Sequence, residues 1–236
     1  MEKIDVLVVG GSAAGIVAAT TAKSFYSDKD VTLIRKEKDS LVPCGIPYVF
    51  GTLDSSDQNC APDAGLANAG VTLKIDEVVS IDPENKICKT AGGTEIGFEK
   101  LVLATGSTPT KPSWLKGTDL ENVFTIPKDK IYLDNFKICL DAFKKVVVIG
   151  GGFIGVEMAD ELAKSGKDVT LVEMMPHVLA MAFDEELALK AQEVLQSRGV
   201  KIKTGSGVKE INGNGKVTGI TLNDDETIEA DAVILS

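Results

Sequence analysis

The residue in this sequence best suited to chemistry is a cysteine, Cys44, in the stretch VPCGIPY at residues 42–48. A thiol reacts when it is accessible and ionised. Pro43 restricts the backbone before the cysteine, and Gly45 leaves access to the sulfur. A cysteine at the start of a short helix also feels the helix dipole, which favours the thiolate. Taken alone, Cys44 fits a reactive thiol and a buried packing residue equally well.

Two glycine-rich strings form a second chemical feature, VVGGSAAG at 8–15 and VIGGGFIG at 148–155, offset by 140 residues. In a G-x-G-x-x-G turn the first glycine permits a tight bend and the second lets the backbone approach a pyrophosphate. The third lets helix and strand pack closely. Free N–H groups at the start of the following helix bind the phosphates. The strings therefore predict two dinucleotide-binding turns.

The second string is complete, and an acid, Glu173, follows 23 residues after Gly150. A carboxylate at this place accepts the ribose hydroxyls and repels a 2′-phosphate, so the pattern favours NADH over NADPH. The residues expected to contact this cofactor are Gly150, Gly152, Phe153, Ile154, Gly155 and Glu173.

The first string departs from the pattern twice. Ser12 replaces the middle glycine, where it either hinders the pyrophosphate slightly or offers a hydroxyl contact. Arg35 stands where the second copy has its acid, and Glu37 comes two residues later. An arginine there pairs with a phosphate or stacks on an adenine, so this position alone would indicate NADP.

Each string lies between strand patterns. The runs IDVLVV (4–9) and KVVVI (145–149) are apolar except for one charged residue each, as in parallel strands buried on both faces. A helical pattern follows each string; in the second copy Ile154, Met158 and Leu162 are spaced four residues apart. The strands DVTLIR (30–35) and DVTLVE (168–173) come next. Two βαβ units and an α/β fold are predicted.

Shorter strands surround these units. Residues 71–107 predict a small β-meander that ends in a buried strand, LVLAT at 101–105, and further short strands follow residue 200. A helix is expected over 183–199, ended by Gly199, with a face formed by Leu187, Ala191, Val194 and Leu195. NDDE (223–226) indicates a hairpin turn rather than a metal site. Prolines in TPTKPSW place the domain boundary between residues 112 and 113, giving domains 1–112 and 113–236.

Composition excludes several classes of function. Lys and Arg number 25 against 35 Asp and Glu, a net charge of −10 that argues against nucleic-acid and anionic-membrane partners. Four widely spaced cysteines without a CxxC motif indicate reduced thiols rather than disulfides or a zinc site. No basic region precedes the apolar run at 6–20, and no run is long enough to span a membrane. We expect a cytoplasmic protein.

Taken together, VVGGSAAG, LVPCGIPYVFGTL (41–53), LVLATGSTP (101–109) and VVVIGGGFIGVE (146–157) resemble the FAD- and NAD(P)-dependent pyridine nucleotide-disulfide oxidoreductases. The resemblance covers nearly the whole chain. It implies two Rossmann-like domains, each a parallel sheet with helices and a small meander, with FAD at the first turn and NADH at the second. The residues it assigns to FAD are Gly10, Ser12, Ala13, Ala14, Gly15, Arg35, Lys36, Pro43, Thr105 and Gly106.

The closest resemblance is to the single-cysteine branch: coenzyme A-disulfide reductases, NADH:sulfur reductases, NADH oxidases and NADH peroxidases. Two-cysteine relatives carry a second cysteine five residues after the first, where this chain has Val49. The resemblance therefore implies that electrons pass from NADH through FAD to Cys44 alone. Cys60, Cys88 and Cys139 match no family site, and the last two are interpreted as packing residues.

The residue at position 13, an alanine, helps to choose between sulfur compounds and peroxide as the substrate. The peroxidase branch has a histidine at this position, and the only histidine here, His177, is interpreted as a surface loop residue. The resemblance thus favours a small disulfide, persulfide or polysulfide substrate over peroxide or oxygen. Glu157 remains open between a place near the nicotinamide and a carboxylate that complements the helix N-terminus.

The family extends beyond the pattern of this sequence. Its members add a second FAD segment and a C-terminal domain through which they form homodimers, and we expect both to be absent here. Three interpretations follow: a flavin-dependent NADH:disulfide or sulfur reductase, an NADH oxidase or peroxidase that uses a cysteine sulfenic acid, and a non-catalytic dinucleotide-binding fragment.

Overall fold

The computed structural model describes residues 2–236, which group into two compact units. The first unit runs to Pro43 and resumes over Asn59–Ser107. The second comprises Cys44–Gln58 and Thr108–Ser236. The boundary at 112/113 stays a prediction; the two compact units meet in the chain at residue 107, and the segment that contains Cys44 belongs to the second unit.

The first unit is built on a six-stranded sheet. Its elements are β1 (Glu2–Val9), α1 (Ala13–Phe25), β2 (Val31–Arg35), β3 (Ser40–Leu41), β4 (Cys60–Ala61), α2 (Ala64–Asn68), β5 (Thr72–Ile75), β6 (Val78–Asp82), β7 (Ile87–Thr90) and β8 (Glu95–Leu103). The order is β5-β2-β1-β8-β7-β6, in which β5, β2, β1 and β8 run parallel and β7 and β6 are antiparallel. All five residues of β2 are buried, as the apolar run predicted.

The second unit has a five-stranded parallel sheet. Its elements are β9 (Val123–Thr125), α3 (Lys130–Leu140), β10 (Lys145–Ile149), α4 (Phe153–Lys164), β11 (Asp168–Val172), α5 (Glu185–Ser197), β12 (Lys201–Lys203), β13 (Val208–Asn214), β14 (Lys216–Leu222), β15 (Thr227–Glu229) and β16 (Ala232–Leu235). The order is β12-β11-β10-β16-β9, with every pair parallel. β13, β14 and β15 form an antiparallel meander whose apolar side chains pack with those of the large sheet.

The α/β fold and both βαβ units are confirmed: β1-α1-β2 and β10-α4-β11 each contain a glycine string between strand and helix. The helix predicted over 183–199 is α5, and Gly199 beyond it has φ +93°. The NDDE segment forms the turn between β14 and β15. None of the helices in residues 2–236 is long and apolar enough to cross a membrane.

Three details of the prediction are wrong. Residues 72–75 join the parallel sheet beside β2 instead of the meander. LVLAT is not a separate buried strand, because β8 is continuous from Glu95 and Leu103 is 61% exposed. The apolar face of α5 is rotated: Ala188 and Leu195 are buried, whereas Leu187 and Val194 are about half exposed.

Candidate functional site

The first glycine turn has the tight backbone that its sequence predicts. Gly10 has φ +109°, a conformation that favours glycine. A Cβ on Gly15 would lie 1.8 Å from the carbonyl oxygen of Gly10, so helix and strand approach as only glycine allows. A Cβ on Gly10 would lie 2.1 Å from the carbonyl oxygen of Ala104, which brings the loop after β8 against the turn.

The second turn repeats this geometry. Gly150 has φ +108°, and a Cβ on Gly155 would lie 1.9 Å from the carbonyl oxygen of Gly150. The middle glycine behaves differently, because apart from its two neighbours in the chain no described residue has an atom within 4 Å of a Cβ built on Gly152. The surface beside Gly152 is therefore open, as the approach of a ligand to the backbone requires.

The helices that follow the turns begin without the usual N-terminal partners. In the described chain, α1 and α4 have no side-chain cap and no acid in the first turn, whereas Asp129 and Asp184 cap α3 and α5. The free N–H groups of α1 and α4 are thus available to an anion. Ser12 Oγ at the start of α1 is buried and has no hydrogen-bond partner within residues 2–236. A phosphate oxygen would satisfy that hydroxyl, so both turns fit a dinucleotide.

Arg35 is buried, and its guanidinium is already bound. Nη1 and Nη2 donate to the two carboxylate oxygens of Asp63 at 2.7 and 2.9 Å. Nε donates to the carbonyl of Glu37 at 2.9 Å and Nη2 to that of Lys38 at 2.6 Å. A guanidinium has five N–H groups, so this arrangement leaves little capacity for a phosphate. The structure therefore supports a role for Arg35 in holding the loop after β2 in place. It argues against the predicted contact between Arg35 and the cofactor.

Glu173 lies beside the second turn. Its carboxylate accepts hydrogen bonds from the backbone N–H of Gly151 at 2.5 Å and of Met175 at 2.7 Å. A Cβ on Gly151 would lie 3.0 Å from three atoms of Glu173, so this glycine makes room for the carboxylate. The half-buried acid at the end of β11 has the position required of a ribose acceptor.

Glu157 is the fifth residue of α4 and therefore lies beyond the first turn, where a carboxylate would complement the helix N-terminus. This placement removes the main argument for a role in complementing the helix N-terminus. Burial raises the pKa of its carboxyl. Phe153 and Ile154, at the start of the same helix, are 55% and 47% exposed, and the Phe153 ring packs edge-on against Phe183. An exposed aromatic side chain beside the open glycine is available to contact a ligand.

Cys44 is exposed, in agreement with an accessible thiol. It lies in a single 3₁₀ turn, Pro43–Gly45, which is too short to supply the helix-dipole effect expected from the sequence. The stretch is also better packed than it appears in the sequence, because Ile46 is 3% exposed. Val49, at the place of the second cysteine in two-cysteine relatives, is completely buried.

Cys88 and Cys139, both interpreted as packing residues, differ in burial. Cys88 is buried in a cluster with Leu7 and Ile96, which confirms it as a packing residue, and burial raises the pKa of its thiol. The same interpretation is wrong for Cys139, which is exposed on α3. The buried face of α3 is formed by Leu133, Phe136 and Leu140, and Cys139 lies about 100° around the helix from Leu140.

The remaining predicted residues lie at the start of α1, after β2 and β8, in the 3₁₀ turn that contains Cys44 and in a loop after β11. Exposed positions are Ala13, Ala14, Lys36, Thr105 and Gly106, and Pro43 is partly buried. Thr105 and Gly106 follow β8, whose end contacts the first turn. His177 lies in a loop as predicted and is partly buried, with Nδ1 3.2 Å from the carbonyl of Val178.

Sequence reasoning missed one buried acid, Glu161, in the middle of α4. It is 2% exposed and binds Thr52, which lies 109 residues earlier in the chain. Its burial could have been predicted from the helical pattern. Glu161 lies three residues after Met158 and one before Leu162, on the apolar face of α4.

Comparisons with known proteins agree with this geometry. A family model described as pyridine nucleotide-disulphide oxidoreductase matches residues 4–236. The chain is 32% identical over 242 residues to an NADH oxidase of Methanocaldococcus jannaschii, covering 98% of this chain and 53% of that protein. It is 31% identical over 245 residues to an NAD(P)H coenzyme A polysulfide/persulfide reductase of Pyrococcus horikoshii, covering 99% and 53%.

A solved structure is similar over the same length. The NAD-dependent persulfide reductase from A. fulgidus superposes with a TM-score of 0.86 at 29% identity, covering 98% of this chain and 45% of that one. The chain spans about half the length of the curated relatives it matches.

Proposed function

The chain belongs to the pyridine nucleotide-disulphide oxidoreductase family, and we propose that it binds FAD at the first glycine turn and NADH at the second. We further propose that it reduces a small disulfide, persulfide or polysulfide through Cys44. The observation that carries the proposal is the exposed Cys44 thiol in a segment whose second-cysteine position is the buried Val49. A bound flavin would supply electron transfer between nicotinamide and thiol.

The residues of the chain have distinct tasks in this reaction. The uncapped N-termini of α1 and α4 bind the pyrophosphates, with Ser12 Oγ as an additional donor. Glu173 accepts the ribose hydroxyls of NADH. The Cys44 thiolate attacks one sulfur of the substrate, forming a mixed disulfide while the other sulfur leaves and takes a proton. Two electrons from NADH then cleave the mixed disulfide, so one NADH and one proton convert one disulfide to two thiols.

Two observations support sulfur compounds as substrates. The Pyrococcus horikoshii relative is named a polysulfide/persulfide reductase, and the A. fulgidus protein with the similar structure is named a persulfide reductase. Ala13 stands where the peroxidase branch has a histidine, so the first turn offers no base to peroxide. The NADH oxidase of Methanocaldococcus jannaschii favours the second candidate, in which oxygen or peroxide converts Cys44 to a sulfenic acid.

The acceptor and the flavin can be tested together. We expect the purified protein to show a flavin spectrum that NADH bleaches in the absence of oxygen. Addition of polysulfide or coenzyme A disulfide should restore the flavin spectrum and sustain repeated consumption of NADH. Turnover with oxygen or peroxide alone would select the second candidate. NADH binding without any flavin spectrum would reduce the function of the chain to dinucleotide binding.

Cys44→Ser is expected to lower turnover at least about a thousandfold, because the nucleophile is lost, while NADH still reduces the flavin. Stopped-flow absorbance separates the two steps. The matched control is Cys139→Ser, also an exposed cysteine, which should retain wild-type turnover. Retained turnover in Cys44→Ser would remove the thiol from the mechanism.

A further inference from the structure

The cysteine segment, Cys44–Gln58, packs against α3 and α4 within the second unit. Val49 and Phe50 are buried, and the Phe50 ring lies 5.0 Å from that of Phe136 on α3. Gly51 passes so close to α4 that a Cβ would lie 2.2 Å from the carbonyl oxygen of Glu161. The segment is therefore in direct contact with the backbone of the helix that follows the second glycine turn.

Glu161 makes the central polar contact of this arrangement. Thr52 Oγ1 donates to its Oε2 at 2.6 Å, and Lys164 Nζ donates to its Oε1 at 2.6 Å. The acid is 2% exposed and its helix neighbours Met158 and Leu162 are fully buried. An acid on such a face is costly to bury unless its oxygens are bound, and here both are. Its contact outside α4 is with the cysteine segment.

Other contacts hold the far end of the segment. Lys137 Nζ donates to the carbonyls of Leu53 and Asp54 at 2.9 and 3.0 Å, and Ser56 Oγ donates to Asp134 at 2.5 Å.

Backbone hydrogen bonds connect Thr52 with the part of the segment nearer to Cys44. The carbonyl of Tyr48 accepts from the N–H groups of Gly51, Thr52 and Leu53. Thr52 is thus linked by backbone hydrogen bonds to a residue four positions from Cys44.

We propose that Glu161 is a positioning residue for Cys44, acting through its hydrogen bond to Thr52. The bond fixes the cysteine segment on α4 and presents the thiol in one orientation. The helix begins at the second glycine turn, and Glu161 lies eight residues after Phe153, about 12 Å along the axis. One rigid element thus carries both the proposed dinucleotide contacts and the anchor of the thiol. The catalytic part of this inference rests on the proposed function.

Hydrogen–deuterium exchange of the whole protein tests the anchor without any substrate. Thr52→Val keeps the shape of the side chain but removes the hydroxyl, and we expect exchange over residues 46–54 to rise about tenfold. Thr52→Ser restores the hydroxyl and should exchange like the wild type. Glu186→Gln is the control, because Glu186 forms an exposed ion pair with Lys190 elsewhere in the unit. Equal exchange in Thr52→Val and wild type would overturn the proposal.

Turnover then separates positioning from folding. Thr52→Val should lower kcat about tenfold and leave the KM for NADH unchanged, with recovery in Thr52→Ser. Glu161→Gln keeps an acceptor oxygen but loses the charge, so it should lower kcat by less than Thr52→Val does. If Thr52→Val does not fold, the kcat of Glu161→Gln tests the positioning role instead. Faster exchange with unchanged kcat would overturn the positioning role. If Cys44→Ser retained turnover, the proposed function would fail, while the exchange data would still report on the anchor.

Discussion

At the scale of single residues, the two turns differ most at the end of the second strand. Glu173 and Arg35 both lie beside their glycine turns, since a Cβ on Gly11 would lie 2.4 Å from Arg35 Cδ and one on Gly151 would lie 3.0 Å from Glu173. The carboxylate of Glu173 accepts a hydrogen bond from its turn, whereas the guanidinium of Arg35 binds Asp63. The sequence predicted the first outcome because a glycine turn followed by an acid at the end of the next strand is a recognisable pattern. It did not predict the second because no such pattern links Arg35 with Asp63, 28 residues later in the chain.

Glu173→Gln should weaken NADH binding about tenfold, since a charged acceptor of two ribose hydroxyls is lost. NADPH should bind no worse, or better, because the repulsion of its 2′-phosphate is also lost. Dissociation constants for both cofactors give the result, with Glu186→Gln as the control on an exposed surface. An unchanged preference for NADH would show that Glu173 does not read the ribose.

Glu157→Gln is expected to stabilise the fold at neutral pH. Burial raises the pKa of Glu157, so the folded state binds the proton more tightly and the ionised form is unfavourable above the unfolded pKa, near 4.5. The variant should unfold at a higher temperature than the wild type at pH 7, and the difference should vanish below about pH 4. Thermal unfolding at both pH values measures it; a lower midpoint at pH 7 would contradict the sign.

At the scale of elements, periodicity was sufficient for the βαβ units but not for their surroundings. Apolar runs such as residues 145–149 form buried strands wherever they occur in a parallel sheet. For α5, Leu187 and Val194 fit an apolar face as well as Ala188 and Leu195 do, and the packing partner decides which face is buried. In β8 the charged pair Glu99 and Lys100 lies exposed within one continuous strand, which a buried strand beginning at residue 101 did not anticipate.

Gly155→Ala and Gly152→Ala form a matched pair on one turn. A methyl group at 155 would lie 1.9 Å from the carbonyl oxygen of Gly150, so this variant should be destabilised by several kcal/mol. A methyl group at 152 meets no atom within 4 Å among the described residues beyond its two chain neighbours, so the protein should fold normally and bind NADH less tightly. Urea unfolding and NADH titration distinguish the two effects; equal stability losses would contradict the geometry.

At the scale of the whole molecule, the chain alternates between the two units. It passes from the first unit to the second at residue 44, returns at 59 and leaves again at 108. Neither composition nor local pattern indicated this path. The contacts that assign residues 44–58 to the second unit, such as those of Lys137 with Leu53, join residues 84 positions apart.

A fragment that starts at Thr108 should therefore be less stable than one that also carries residues 44–58 on a flexible linker. The added segment buries Val49 and Phe50, worth up to about 5 kcal/mol together. Urea midpoints measured by circular dichroism provide the comparison. Equal midpoints would mean that residues 108–236 form a self-sufficient unit.

The Arg35–Asp63 pair also has a consequence for how the first turn can evolve. Replacing Arg35 alone by glutamate would set two carboxylates against each other and leave the carbonyls of Glu37 and Lys38 without their donors. Each single substitution in the pair lowers stability, because Arg35 is buried and its guanidinium or the groups that it binds would lose a hydrogen-bond partner. The two glycine turns have the same backbone geometry. Even so, an acid could replace Arg35 in the first turn only if Asp63 were substituted at the same time.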